Sequence, residues 1–110
     1  MRRDVFQAIA DPVRREILEM LSKQSLSTNS ILENFEISKQ AIVKQLNILT
    51  ECGLITTFKQ GKERYYSIEP ESLIPAHMWI DQLQGRLEDQ INSFEKYLDQ
   101  LKKDKNAKRK

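Results

Sequence analysis

Ser38-Lys39-Gln40-Ala41-Ile42-Val43-Lys44-Gln45-Leu46-Asn47-Ile48-Leu49-Thr50-Glu51-Cys52-Gly53 decides the fold of this chain, because it carries two opposed faces at helical spacing. On a helical wheel Ile42, Leu46 and Leu49 face a core, whereas Gln40, Val43, Lys44 and Asn47 fall on the opposite arc at the i, i+3, i+4, i+7 spacing. Ser38 suits the N-cap of that helix, where its hydroxyl can accept from an otherwise orphaned N–H. Gly53 is the expected stop, in the left-handed position that follows a helix. After Gly53 the period shortens to that of strands. Leu54 to Lys59 and Arg64 to Ile68, joined by Gln60-Gly61-Lys62-Glu63, predict a hairpin with a basic tip.

Working back toward the N-terminus, Val5, Phe6 and Ile9 share one helical face, and that helix ends at Asp11-Pro12. Asp11 can cap and Pro12 can open a second helix. Its apolar positions are Val13, Ile17, Leu18 and Leu21, with Arg14, Arg15, Glu16 and Glu19 on the wet side and an end near Ser22. Ser27 predicts the start of a short helix that carries Ile31 and Leu32 and closes near Phe35. Working forward, Leu73, Ile80, Leu87, Phe94 and Leu101 recur every seven residues, and Leu83, Ile91 and Leu98 fill the same side. That stripe outlasts one small core. Pro75 allows two outcomes, a helix that starts near it or a helix that kinks at it. The organisation read from the sequence is therefore a helix-and-hairpin domain over 1–74, a long helix over 75–103 whose stripe suits dimerisation, and a basic, disordered tail over 104–110.

Two short helices joined by a brief turn, the second with a polar outward face, make a helix-turn-helix, and the hairpin makes it winged. The fold class is mainly α with a small β-hairpin, a winged helix-turn-helix with a long C-terminal helix. A helix that reads a major groove needs polar or basic side chains aimed at base edges while its other face is held by the core. Gln40 can bond bidentately to adenine, Lys44 can approach guanine, Val43 can pack on a thymine methyl, and Asn47 completes the arc. Ser38 is read as a cap with an added phosphate contact. At the hairpin Lys59, Lys62 and Arg64 flank Gly61, which lets the turn approach a backbone closely, as a wing gripping phosphates requires.

Composition bounds the function classes. With 110 residues, 39% hydrophobic and 31% charged, the chain has room for one core and a helix-rich, globular character. A net charge of +2 does not single out a polyanionic partner, but between Ile37 and Arg64 five basic residues stand against two acidic ones. The single cysteine, Cys52, and the single histidine, His77, exclude an internal disulfide and leave too few ligands for a Cys/His metal cluster, so neither metal nor cofactor is expected. They fit a reducing, cytoplasmic setting. No window approaches the roughly 18 apolar residues of a membrane span. With no Gly-rich phosphate loop and no base spaced to activate Ser or Cys, the reading is not an enzyme. Two other functions fit the same elements: an effector-gated sensor of this fold, and a winged-helix module that docks a protein. The latter would present an acidic or apolar outward face, and here that face is basic.

Residues Phe6 to Leu18, Ile37 to Leu46, Leu49 to Leu54 and Lys62 to Tyr66 together resemble the ArsR/SmtB-like winged-helix repressors. The resemblance spans roughly residues 3 to 70, and Ala10-Asp11-Pro12-Val13-Arg14-Arg15-Glu16-Ile17-Leu18 is its most specific part. It implies a homodimeric repressor that binds a palindromic operator in double-stranded DNA, often its own promoter, with the first and last helices at the dimer interface. On that basis Val5, Phe6 and Ile9 join Trp79, Ile80, Leu83, Leu87, Ile91, Phe94, Leu98 and Leu101 as interface residues. Lys39 and Gln45 join the DNA-contacting set on the recognition helix. The chain departs from many relatives at Val43, where they carry Ser, and at Gln45, where they carry His. The family's metal sensors use a Cys pair or Asp/His ligands, which Cys52 alone and His77 alone do not supply, so the chain resembles a branch without them.

The remaining conspicuous residues are read plainly. Cys52, just before a helix stop, is small packing material. His77 is a surface or interface histidine, and Trp79 and Phe94 serve dimer packing rather than an effector pocket.

Overall fold

In the computed structural model, residues 4–107 are described, with side chains through 103. The chain divides into two compact units, Met1–Ala76 and His77–Lys110.

The first unit opens with helix α1 (Val5–Ile9), capped by Asp4, whose carboxylate accepts from Gln7 N at 3.0 Å. Helix α2 (Pro12–Leu21) starts where the Asp-Pro pair predicts, and one oxygen of Asp11 accepts from Val13 N at 2.9 Å and Arg14 N at 3.2 Å. Helix α3 (Thr28–Leu32) is capped by Ser27, and helix α4 (Lys39–Glu51) by Ser38, whose Oγ accepts from Ala41 N at 3.1 Å. Each cap satisfies N–H groups that the helix itself leaves without partners. Gly53 follows α4 at φ +81, the left-handed conformation expected of it.

Strands β2 (Ile55–Gln60) and β3 (Glu63–Ile68) pair antiparallel from Ile55↔Ile68 to Gln60↔Glu63. The connection is tighter than the four residues expected: only Gly61 and Lys62 lie outside the ladder. Gly61 takes φ +67 and Lys62 a negative φ, as in a type II′ turn, whose twist matches that of the flanking strands. The sheet also has a third strand, β1 (Leu26–Ser27), paired with β3 through Leu26↔Tyr66 and Ser27↔Tyr65. Two residues are too few to show a period, so no sequence pattern announces it.

Ile17, Ile31, Ile42, Leu46, Leu49, Leu54 and Ile55 are fully buried together, and α1, α2, α3, α4 and β2 all feed this one core. The core face of α4 is the predicted one. Val5 is a correction: it is only 7% exposed and belongs to this core, so it is not available to an interface between chains. A five-residue helix depends on tertiary packing to stay folded, and here Val5 and Ala8 supply it.

A 3₁₀ turn (Pro70–Leu73) leads into helix α5 (Ile74–Ala107). Pro75 stands in the first turn of α5, where no N–H is needed, so of the two outcomes open for it the helix start is the one realised. Ala76 is buried with the core of the first unit. In the second unit, α5 continues past Lys103 to Ala107, so the first part of the tail expected to be disordered is helical, and residues 108–110 lie outside the described residues.

Candidate nucleic-acid interface

The outward arc of α4 is exposed at Lys39, Gln40, Lys44 and Asn47 and half-buried at Val43. The helix is held from behind by Ile42, Leu46 and Leu49, each with no exposed surface, so the arc is fixed on a rigid support. Ser38 is exposed at the start of the same helix, with its Oγ committed to the cap.

Lys39, Val43 and Asn47 share a groove of about 390 Å³ with Lys62 and Arg64 of the hairpin. Thr28 and Asn29 at the start of α3, Thr50 on α4 and Thr57 on β2 line it too, and nothing in the sequence singles them out. They are short polar residues with no charge or period to mark them, and only the packing of three elements brings them together. On the other flank, Lys39, Gln40, Val43, Lys44, Asn47, Ile48 and Glu51 border a shallow depression of about 580 Å³.

Lys59 is the direct cross-strand partner of Arg64, and Arg64 Nη1 donates to Thr57 Oγ1 at 3.2 Å. Strand alternation places Lys59, Thr57 and Arg64 on one face. Phe58 and Tyr65 lie on the other and stack with ring centroids 5.6 Å apart. The Tyr65 hydroxyl donates to Glu63 at 3.2 Å, and that carboxylate raises the phenol above its ordinary pKa. Lys62 and Arg64 therefore sit with Lys39, Val43 and Asn47 at one groove, and Lys59 shares the strand face of Arg64, as a phosphate grip beside a base-reading helix requires.

Gln45 does not join them. It is half-buried, and its Oε1 accepts from Arg14 Nη1 of α2 at 2.8 Å. One step of about 100° round the helix from Lys44 turns it toward α2.

Of the expected interface residues, Phe6 is 42% exposed and Ile9 is half-buried against the core. Trp79, Ile80, Leu83, Leu87, Ile91, Phe94, Leu98 and Leu101 are each 40–62% exposed. Cys52 is a half-buried residue that packs on the core at the C-cap of α4, and His77 is exposed. Among the described residues no group of three or more His, Cys, Asp or Glu is gathered to hold a metal ion. No described helix is long and apolar enough to cross a membrane.

The family model described as "Bacterial regulatory protein, arsR family" matches residues 11–57. The chain is 38% identical over 77 residues to the transcriptional repressor SdpR of Bacillus subtilis (strain 168), an alignment that covers 70% of this chain and 86% of that protein. This chain belongs to the arsR family. A second arsR-type relative, an arsenical resistance operon repressor of Staphylococcus xylosus, is 32% identical over 69 residues, 63% of this chain and 66% of that one. Among solved structures, an ArsR-like transcriptional regulator from Rhodococcus sp. RHA1 superposes with a TM-score of 0.73 at 28% identity, covering 86% of this chain and 87% of the other. A crystal structure of another ArsR family transcriptional regulator gives 0.69 at 32% identity, with 76% and 91% covered. This arsR-family chain is a DNA-binding transcriptional regulator, and its family is one of regulators rather than enzymes.

Proposed function

We propose that this chain is a homodimeric repressor whose two α4 helices read the halves of a palindromic operator while the hairpins grip the flanking phosphates. The observation that carries the reading is the outward arc of Gln40, Val43, Lys44 and Asn47, backed by a fully buried face, with Val43 and Asn47 sharing a groove with Lys62 and Arg64. In this reading Gln40 and Lys44 make base contacts, Val43 packs on a thymine methyl, and Lys39, Lys59, Lys62 and Arg64 hold phosphates. The N-terminus of α4 at Ser38 adds a further phosphate contact.

The DNA-binding part is assigned to residues 1–74 and the dimerising part to 75–103. A helix of 34 residues extends about 51 Å at about 1.5 Å per residue. Its stripe of exposed Leu, Ile and Phe side chains is best covered by a second copy, since full burial is worth roughly 1.5–3 kcal/mol for each. Phe6 and Ile9 on α1 contribute to the same dimer. A two-fold dimer suits half-sites about one turn of DNA, roughly 34 Å, apart. In this reading the protein works in the cytoplasm, where its DNA partner lies.

Selection of bound sequences from a random duplex library, with DNA upstream of the chain's own gene as a parallel probe, tests the reading. The expected product is one inverted repeat with half-sites a helical turn apart. Recovery of non-symmetric or unrelated sequences would overturn it.

A further inference from the structure

The most distinctive run of the sequence, Ala10 to Leu18, holds two arginines whose side chains both turn back on α1. That helix has five residues, so its last carbonyls have few helical partners, and Gln7 O takes a long bond from Ala10 N at 3.3 Å within the helix end. Arg14 Nη2 donates to Gln7 O at 2.9 Å and Arg14 Nε to Ala8 O at 3.0 Å, while Arg15 Nη1 donates to Ile9 O at 2.8 Å. Two cations thus bind the negative end of α1. Arg14 has one further arm, and its Nη1 reaches Gln45 Oε1 on α4 at 2.8 Å.

A guanidinium is a rigid planar fork. With Nε and Nη2 held by two adjacent carbonyls of α1, the direction of Nη1 is fixed, and with it the place where Gln45 Oε1 must sit. Gln45 lies beside Lys44 in the helix, so this bond opposes rotation of α4 about its own axis. An exposed side-chain tip about 6 Å from the axis moves about 1 Å when a helix turns by about 10°. That is enough to take a donor out of hydrogen-bond range of a base edge.

We infer that Arg14 and Gln45 are positioning residues for operator recognition: their bond sets the rotation of α4 that aims Gln40, Lys44 and Asn47, and neither touches DNA. The inference rests on α4 being the reading helix.

The test uses the full chain, the selected operator and a random duplex of equal length. Gln45→Ala is expected to weaken operator affinity about tenfold, as for one hydrogen bond to a charged group, with random-duplex affinity and salt slope unchanged. Gln45→Glu keeps the acceptor and adds a charge opposite to that of Arg14, so it retains operator affinity to within about twofold. Were Gln45 to touch DNA, the new carboxylate would face phosphates and Gln45→Glu would bind worse than Gln45→Ala; that order overturns the inference. Arg14→Lys, which cannot serve three acceptors in one plane, is expected to weaken operator affinity by about the same tenfold and to add no further loss on top of Gln45→Ala. Additive losses would overturn the coupling. The double variant Gln40→Ala/Lys44→Ala separates the two levels. If it binds the operator as the parent does, both the reading helix and its positioning fall; if it fails while Gln45→Ala binds normally, the positioning alone falls.

Discussion

Lys59 and Arg64 stand directly opposite each other across the two strands of the hairpin, on the face that turns toward the α4 groove. Like charges in that relation are destabilising. Among the described residues Arg64 donates to the neutral hydroxyl of Thr57. An arrangement that costs stability in the free protein becomes favourable once an anion lies against both cations. Replacing Lys59 and Arg64 by Gln should therefore leave the thermal midpoint unchanged or slightly raised while weakening binding to every DNA sequence alike. The log-affinity against log-salt slope should flatten by about one unit for each phosphate no longer neutralised. An unchanged slope would remove the hairpin from phosphate binding.

Gln40 and Lys44 predict the opposite signature. Both are exposed and neither packs on the core, so Ala at each should leave folding intact. Each missing bond to a base edge should cost about 1–3 kcal/mol on the operator and far less on random DNA. The ratio of the two affinities is the measurement that decides it.

Ser38 separates stability from binding. Its hydroxyl caps α4 through Ala41 N, so Ser38→Ala should cost about 1 kcal/mol in denaturant unfolding. Ser38→Asp preserves the cap and should unfold like the parent, yet bind DNA more weakly because it adds negative charge beside the phosphates. Equal DNA affinity in both variants would place Ser38 outside the interface.

Gly53 holds φ +81 with open space around a would-be Cβ, so the cost of a side chain there is conformational alone. Gly53→Ala should destabilise by about 1–2 kcal/mol, and Gly53→Asn, which tolerates the left-handed region better, by less. Urea melts of the two variants give the ordering.

The α5 stripe should answer to charge. Leu87→Glu together with Phe94→Glu places carboxylates on two side chains that are half exposed or more in the single chain, so the fold of the first unit should be untouched. Sedimentation should shift from dimer to monomer, and specific operator affinity should fall with it. A parent protein that sediments as a monomer at tens of micromolar would sink the dimer reading.

The elements that could be read in advance are those whose signals are local. Ser38, Gly53 and the Asp11-Pro12 pair set helix ends because a cap, a left-handed turn and a missing N–H act within a few residues. The buried Ile42, Leu46 and Leu49 follow from a period that a single helix imposes on its own sequence. Strand β1 escaped because two residues have no period, and Val5 because a face shared with Phe6 and Ile9 does not say which member the core will take.

The sequence alone determined the order of helices, the hairpin, the basic and polar arc on α4 and the heptad stripe of α5, since each depends on spacing along one element. Only the tertiary structure decided that Gln45 turns from the arc to Arg14 and that Thr28, Asn29, Thr50 and Thr57 join the groove. It also decided that Lys59 and Arg64 meet on one face. These depend on the angle and register at which separate elements pack. Residues 31 positions apart, such as Arg14 and Gln45, carry no mark of each other until the core beneath them has set that angle.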